Sequence, residues 1–131
     1  MTRVLDTHAL MVFLEKEPGY EKVKGCFVEA VETQENLLMT SVNFGEMCYI
    51  VLREYGQKMV DQVESLVRTL PVEIVDVDIL LAKEAARFKA ANSISYADCF
   101  AAALAKMRGG EVLTGDREFK KVEKETNIQW I

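Results

Sequence analysis

The chain has 131 residues, half of them apolar and 28% charged, which suits one domain (residues 1–131) with one sizeable core. Its net charge of −5 excludes a general nucleic-acid binder, normally basic, but leaves room for an enzyme whose acidic site is neutralised locally. No apolar run is long enough to cross a bilayer, and the N-terminus shows no leader pattern, so a cytoplasmic chain without membrane contact is expected.

Thr2 to Leu5 reads as a short buried strand stopped by Asp6. A helix over 7–16 follows, with Leu10, Phe13 and Leu14 on one side, broken by Pro18-Gly19. A second helix, roughly 19–33, carries Val23, Phe27, Ala30 and Val31 at helical spacing. Leu37 to Thr40 is a second strand, and Ser41 is positioned to cap a third helix running to about Tyr55, with Gly56 suited to its end. Residues 58–69 form an amphipathic helix closed by Pro71, and Val72 to Val77 make a third strand. Asp78 can cap a helix over 79–91, and Ser95 begins another that stops before Gly109-Gly110. Val112 to Thr114 is a fourth strand, residues 117–125 a short charged helix, and Ile128 to Ile131 a last strand. Cys26, Cys48 and Cys99 lie among apolar neighbours and read as buried free thiols. With His8 the single histidine, no zinc site is expected.

Strands alternating with helices predict a parallel sheet covered on both faces. In such sheets the site lies beyond the carboxyl ends of the strands, where strand order reverses. Asp6 follows the first strand and Asp116 the fourth. Each candidate acid also has an ordinary explanation. Asp6 and Asp116 are placed to cap helices, and Asp98 fits a capping box in Ser95-Tyr96-Ala97-Asp98. Glu46 lies in the apolar stretch Val42 to Val51, where Arg53 is a candidate salt-bridge partner and a solvated edge is the other structural reading. The combination carries more than its parts. Carboxylates about 5 Å apart repel by about 3 kcal/mol per pair at an effective dielectric of about 20. A converging set therefore calls for a cation, and an all-oxygen set selects a hard one such as Mg²⁺ or Mn²⁺.

Four blocks then carry a resemblance. Val4-Leu5-Asp6-Thr7-His8-Ala9-Leu10, Ser41-Val42-Asn43-Phe44-Gly45-Glu46, Ile94-Ser95-Tyr96-Ala97-Asp98 with its Ala-rich continuation, and Leu113-Thr114-Gly115-Asp116-Arg117-Glu118-Phe119 occur in this order. Together they resemble the PIN domains, particularly the VapC-type toxins of toxin–antitoxin pairs, from Arg3 to Phe119. The resemblance implies a three-layer α/β/α fold with strand order 3-2-1-4-5 and metal-binding acids at Asp6, Glu46, Asp98 and Asp116. It implies a polar helper at Thr114 and a further acid at Glu118. Asn43, one turn before Glu46, either orients that residue or touches RNA. His8 occupies a variable position and reads as a surface or packing residue.

The implied activity is metal-dependent endoribonuclease hydrolysis with Mg²⁺ or Mn²⁺ among the acids, leaving 5′-phosphate and 3′-hydroxyl ends. Implied partners are an RNA substrate, an antitoxin that lays an apolar helix in a groove, and a second copy of the chain. Arg3, Arg53, Arg117, Lys120 and Lys121 are candidates for substrate phosphates, although the charge run at Lys120-Lys121 also reads as a solvated face. Met11, Phe13, Phe44, Tyr49 and Met59 are candidates for protein contacts, with the core as their default place. Rival readings are a non-catalytic PIN-like module binding RNA or protein and a structure-specific DNA nuclease. A haloacid-dehalogenase-type phosphatase needs a second Asp two residues after the first, and position 8 is His. A receiver domain needs a Lys after a fifth strand, and the chain ends at Ile131 without one.

Overall fold

The computed structural model describes residues 1–131. Its elements are β1 (Arg3–Leu5), α1 (Thr7–Glu15), α2 (Tyr20–Thr33), β2 (Leu37–Thr40), α3 (Ser41–Tyr55), α4 (Gln57–Val67), β3 (Val72–Val75), α5 (Ile79–Ala91), α6 (Tyr96–Met107), β4 (Glu111–Thr114), a 3-10 helix (Arg117–Val122) and β5 (Asn127–Trp130). The strands form one parallel sheet in the order β3-β2-β1-β4-β5, as expected.

Alternation along the strands splits the core in two. Val4, Leu38 and Val112 face α5 and α6, where Leu81, Ala85, Phe88 and the run Cys99 to Ala105 complete one apolar cluster with Phe119 and Val122. Leu5, Leu37, Met39 and Leu113 face the other way, into a cluster with residues of α1 to α4 such as Leu10, Phe27, Met47 and Val67. Two apolar faces explain why the inner strands read as continuous hydrophobic runs. At the amino end of β4, a Cβ on Gly110 would collide with the Thr2 carbonyl, so only glycine lets β1 and β4 begin side by side. Gly56, at φ 90°, ends α3 and starts α4, in a conformation that favours glycine.

Several expected boundaries are corrected. Thr40, not Ser41, caps α3, its hydroxyl accepting from the Asn43 N–H, while the Ser41 hydroxyl accepts from the Val77 N–H. That bond, with the pairing of Val75 to Thr40 at the end of β2, stops β3 at Val75 rather than Val77. The expected helix over 117–125 is a 3-10 helix ending at Val122, because Glu125 and Thr126 turn back to the Val122 carbonyl before β5. Helix α4 runs from Gln57 to Val67 instead of 58–69, and the Thr69 N–H and hydroxyl both close onto the Leu66 carbonyl. Tyr49 and Met59, assigned to the core by default, are exposed; Met11, Phe13 and Phe44 are half-buried against it.

Candidate active site

The carboxyl ends of β1 and β4 are adjacent, so the residues that follow them meet at one rim of the sheet. Asp6 leaves β1 as the N-cap of α1, and its Oδ1 accepts the Ala9 N–H at 2.8 Å. Its Oδ2 accepts the Thr114 hydroxyl at 2.5 Å. That hydroxyl in turn accepts the Asp116 N–H at 2.9 Å, so one oxygen at the end of β4 ties two acids together. Asp6 is only 1% exposed. Burial pushes its carboxyl up to about 8. The bonds from Thr114 and Ala9 work against the rise, and the charges of Asp98 and Asp116 add to it.

Asp98 sits in the first turn of α6, where Ser95 caps the helix by accepting the Asp98 N–H. Burial pushes it up to about 6, with Asp116, Glu46 and Glu118 adding repulsion. Asp116 caps the 3-10 helix by accepting the Glu118 N–H at 3.0 Å. Glu46 is half-buried on α3. Arg53 lies over the Tyr49 ring, 5.5 Å from its centroid, which removes the expected structural partner of Glu46. None of the four acids forms an ion pair. The capping and the clustering are therefore not alternatives. Caps hold Asp6 and Asp116 in place while the four acids act on one another electrostatically.

The auxiliary expectations divide. Thr114 is at the centre of the site. Glu118 is exposed and paired with Lys121 at 2.5 Å, within electrostatic reach of Asp98. Arg117 is exposed and free of ion pairs beside Asp116, whereas Lys121 is spent on Glu118 and Ser93. Arg3 is corrected. It lies at the amino end of β1, opposite the acids, where Glu29 at 2.9 Å and Glu111 at 3.6 Å hold it. Of the two readings of Asn43, contact with RNA is overturned, because the residue is fully buried and cannot touch a substrate. Its side chain instead bonds Thr40, Thr7 and the Ala97 carbonyl. Thr7 and Thr40 were missed as members of the site's support. Their only mark in the sequence is a hydroxyl at or just beyond the end of a buried strand. His8 is exposed and packs against Gly115, where a Cβ would lie 2.8 Å from its Cε1.

The donor set at the rim is all oxygen. No three acidic, histidine or cysteine side chains enclose a cation-sized position as they stand. Mg²⁺ commonly takes one or two protein carboxylates and keeps several waters, so an open, uncompensated group of acids fits it better than a closed cage would.

The PIN domain family model matches residues 3–125. Ribonuclease VapC30 of Mycobacterium tuberculosis is 26% identical over 130 residues, covering 92% of this chain and 94% of that protein. Among solved structures, VapBC2 from Rickettsia felis, bound to a DNA fragment from its promoter, superposes with a TM-score of 0.80 at 14% identity. It covers 98% of both chains. Mycobacterium tuberculosis VapC20, described as a sarcin-ricin loop cleaving toxin, gives a TM-score of 0.69 at 14% identity, over 91% of this chain and 93% of that one. The family model spans all four acids and the strands β1 to β4, and the chain belongs to the PIN-domain family.

Proposed function

We propose that this protein is a divalent-metal-dependent endoribonuclease, the toxin of a toxin–antitoxin pair. The observation that carries the reading is the gathering of Asp6, Asp98, Asp116 and Glu46 at one rim of the sheet with no lysine or arginine to neutralise them. The similarity to a VapC ribonuclease and to VapBC complexes supports the choice of RNA and of an antitoxin partner.

Asp6, Asp98, Asp116 and Glu46 would hold Mg²⁺ or Mn²⁺. Such an ion lowers the pKa of water and stabilises charge on phosphoryl oxygens. The chain's own residues do the rest. Thr114 and the Ala9 N–H orient the Asp6 carboxylate, leaving its other lone pairs for a ligand. The carboxylate of Asp98 or of Glu46 accepts the proton of the attacking water. Arg117 meets a substrate phosphate without first breaking an ion pair. Attack in line with the 3′ oxygen leaves a 5′-phosphate and a 3′-hydroxyl.

The antitoxin's place is an apolar groove of about 200 Å³ between α1, α3 and α4, lined by Met11, Leu14, Val51, Tyr55, Met59 and Val63. Homodimer formation would use Ile79 and Leu80, which stand 78% and 66% exposed at the start of α5. No helix is long and apolar enough to cross a membrane, which is compatible with work in the cytoplasm.

The test is incubation of the purified protein with total RNA and single-stranded DNA, with Mg²⁺ or Mn²⁺ against a chelator, followed by mapping of new 5′ ends. The expected result is metal-dependent cutting of RNA with 5′-phosphate products, abolished by Asp6→Asn. Equal cutting by the Asp6→Asn protein would refute the assignment.

A further inference from the structure

Six polar or charged residues are buried in this molecule, and five of them (Asp6, Thr7, Thr40, Asn43 and Thr114) lie at the carboxyl ends of β1, β2 and β4 or just beyond. Asp6 and Thr114 are joined by the bond that orients the first acid. The other three form a second network centred on Asn43. Its Oδ1 accepts the Thr40 hydroxyl at 2.5 Å, and its Nδ2 donates to the Ala97 carbonyl at 3.1 Å and to Thr7 Oγ1 at 3.4 Å. The Thr7 hydroxyl donates back to the Asn43 carbonyl at 3.1 Å, and the Asn43 N–H meets Thr40 Oγ1 at 3.0 Å. Both hydrogens of the carboxamide are used.

We infer that Asn43 is a positioning residue that sets the spacing of the acids by tying together the three backbone segments that carry Asp6, Glu46 and Asp98. This inference rests on the ribonuclease reading of those acids. Thr7 follows Asp6, Ala97 precedes Asp98, and Asn43 stands one helical turn before Glu46. The partners of this one amide are thus the chain neighbours of two acids, and its own helix carries a third. A buried amide is costly unless fully bonded, and apolar side chains would pack α3 against α6 without that demand. The acids supply a reason for it. Asp98 is repelled by Asp116 and Glu46, so the first turn of α6 is pushed away from the site unless something holds it. Asn43 holds it by the carbonyl just before Asp98. With Thr114 joining Asp6 to Asp116, two buried polar hubs then hold all four acids on one frame.

The test compares Asn43→Ala and Thr7→Val with Val60→Ala, a core truncation in α4 outside both networks, in the full-length protein. Four quantities are read: Mn²⁺ affinity by electron paramagnetic resonance of the free ion, kcat and KM on a single-stranded RNA, and Tm. All three variants lower Tm. The expected result is that Asn43→Ala and Thr7→Val weaken Mn²⁺ binding and lower kcat by roughly tenfold to a hundredfold, with KM within about twofold. Val60→Ala keeps the parent's Mn²⁺ affinity and kcat. The inference is overturned if Asn43→Ala loses Tm but behaves like Val60→Ala in both readouts. If Asn43→Ala does not fold, Thr7→Val decides by the same criteria. A parent protein that neither takes up Mn²⁺ nor cuts RNA would instead refute the ribonuclease reading, and the positioning role with it.

Discussion

Removing metal and raising the pH should destabilise this protein, and Asp6 sets the size of the effect. In the unfolded chain its carboxyl ionises near its ordinary value of 3.8, whereas in the fold it keeps its proton up to about 8. Between those values the folded state binds the extra proton, so stability is highest at the acid end of the window and falls as pH rises through it. The shift sets a ceiling on the order of 5 kcal/mol, and half of it would lower Tm by roughly 10 °C. Asp98, raised to about 6, adds in the same direction. Asp6→Asn removes the buried charge but has one oxygen where Asp6 offers two, to Ala9 and Thr114, which costs about 1 kcal/mol. The variant should therefore be close to the parent in stability at pH 5 and more stable at pH 8, keeping only the smaller slope due to Asp98. Urea unfolding in chelator at several pH values between 5 and 8 measures this, and adding Mn²⁺ should flatten the parent's slope. A chelated parent whose stability is flat or rises from pH 5 to 8 would refute the claim that an uncompensated carboxylate is buried here.

Thr114→Val keeps the shape but removes the oxygen between Asp6 and Asp116. It should cost about 1–3 kcal/mol in urea unfolding and lower kcat by roughly tenfold to a hundredfold. Arg117→Ala should leave Tm unchanged, raise KM and reduce the salt dependence of RNA binding by roughly one counterion; an unchanged salt slope would remove Arg117 from the substrate path. Gly110→Ala drives a methyl group into the Thr2 carbonyl and should destabilise by about 1–3 kcal/mol. The check is a lower urea midpoint with the slope kept.

Strand and helix identities and their order along the chain were legible in the sequence because they rest on local chemistry, whereas the set of four acids came from the resemblance of the four blocks. Apolar alternation, Asp and Ser at helix starts, and Gly at helix ends act within a few residues. Asp6 and Asp116 stood out because a parallel sheet places its site at strand ends, and the carboxyl ends of β1 and β4 lie side by side. Tertiary structure decided what each polar side chain bonds. Arg3 lies as near to Asp6 in sequence as Ala9 does. Strand direction nevertheless sends it to the far end of the sheet, into the carboxylates of Glu29 and Glu111. Asn43 looked like a residue facing substrate or Glu46 because helical spacing reports a face, not what packs against it. Only the approach of α6 and α1 seals it from water and gives its amide Ala97 and Thr7 as partners. Local pattern determines where a charge or an amide enters the fold. Whether it is buried, and against what, depends on segments far apart in the chain, and that is what turns four separate acids into one site.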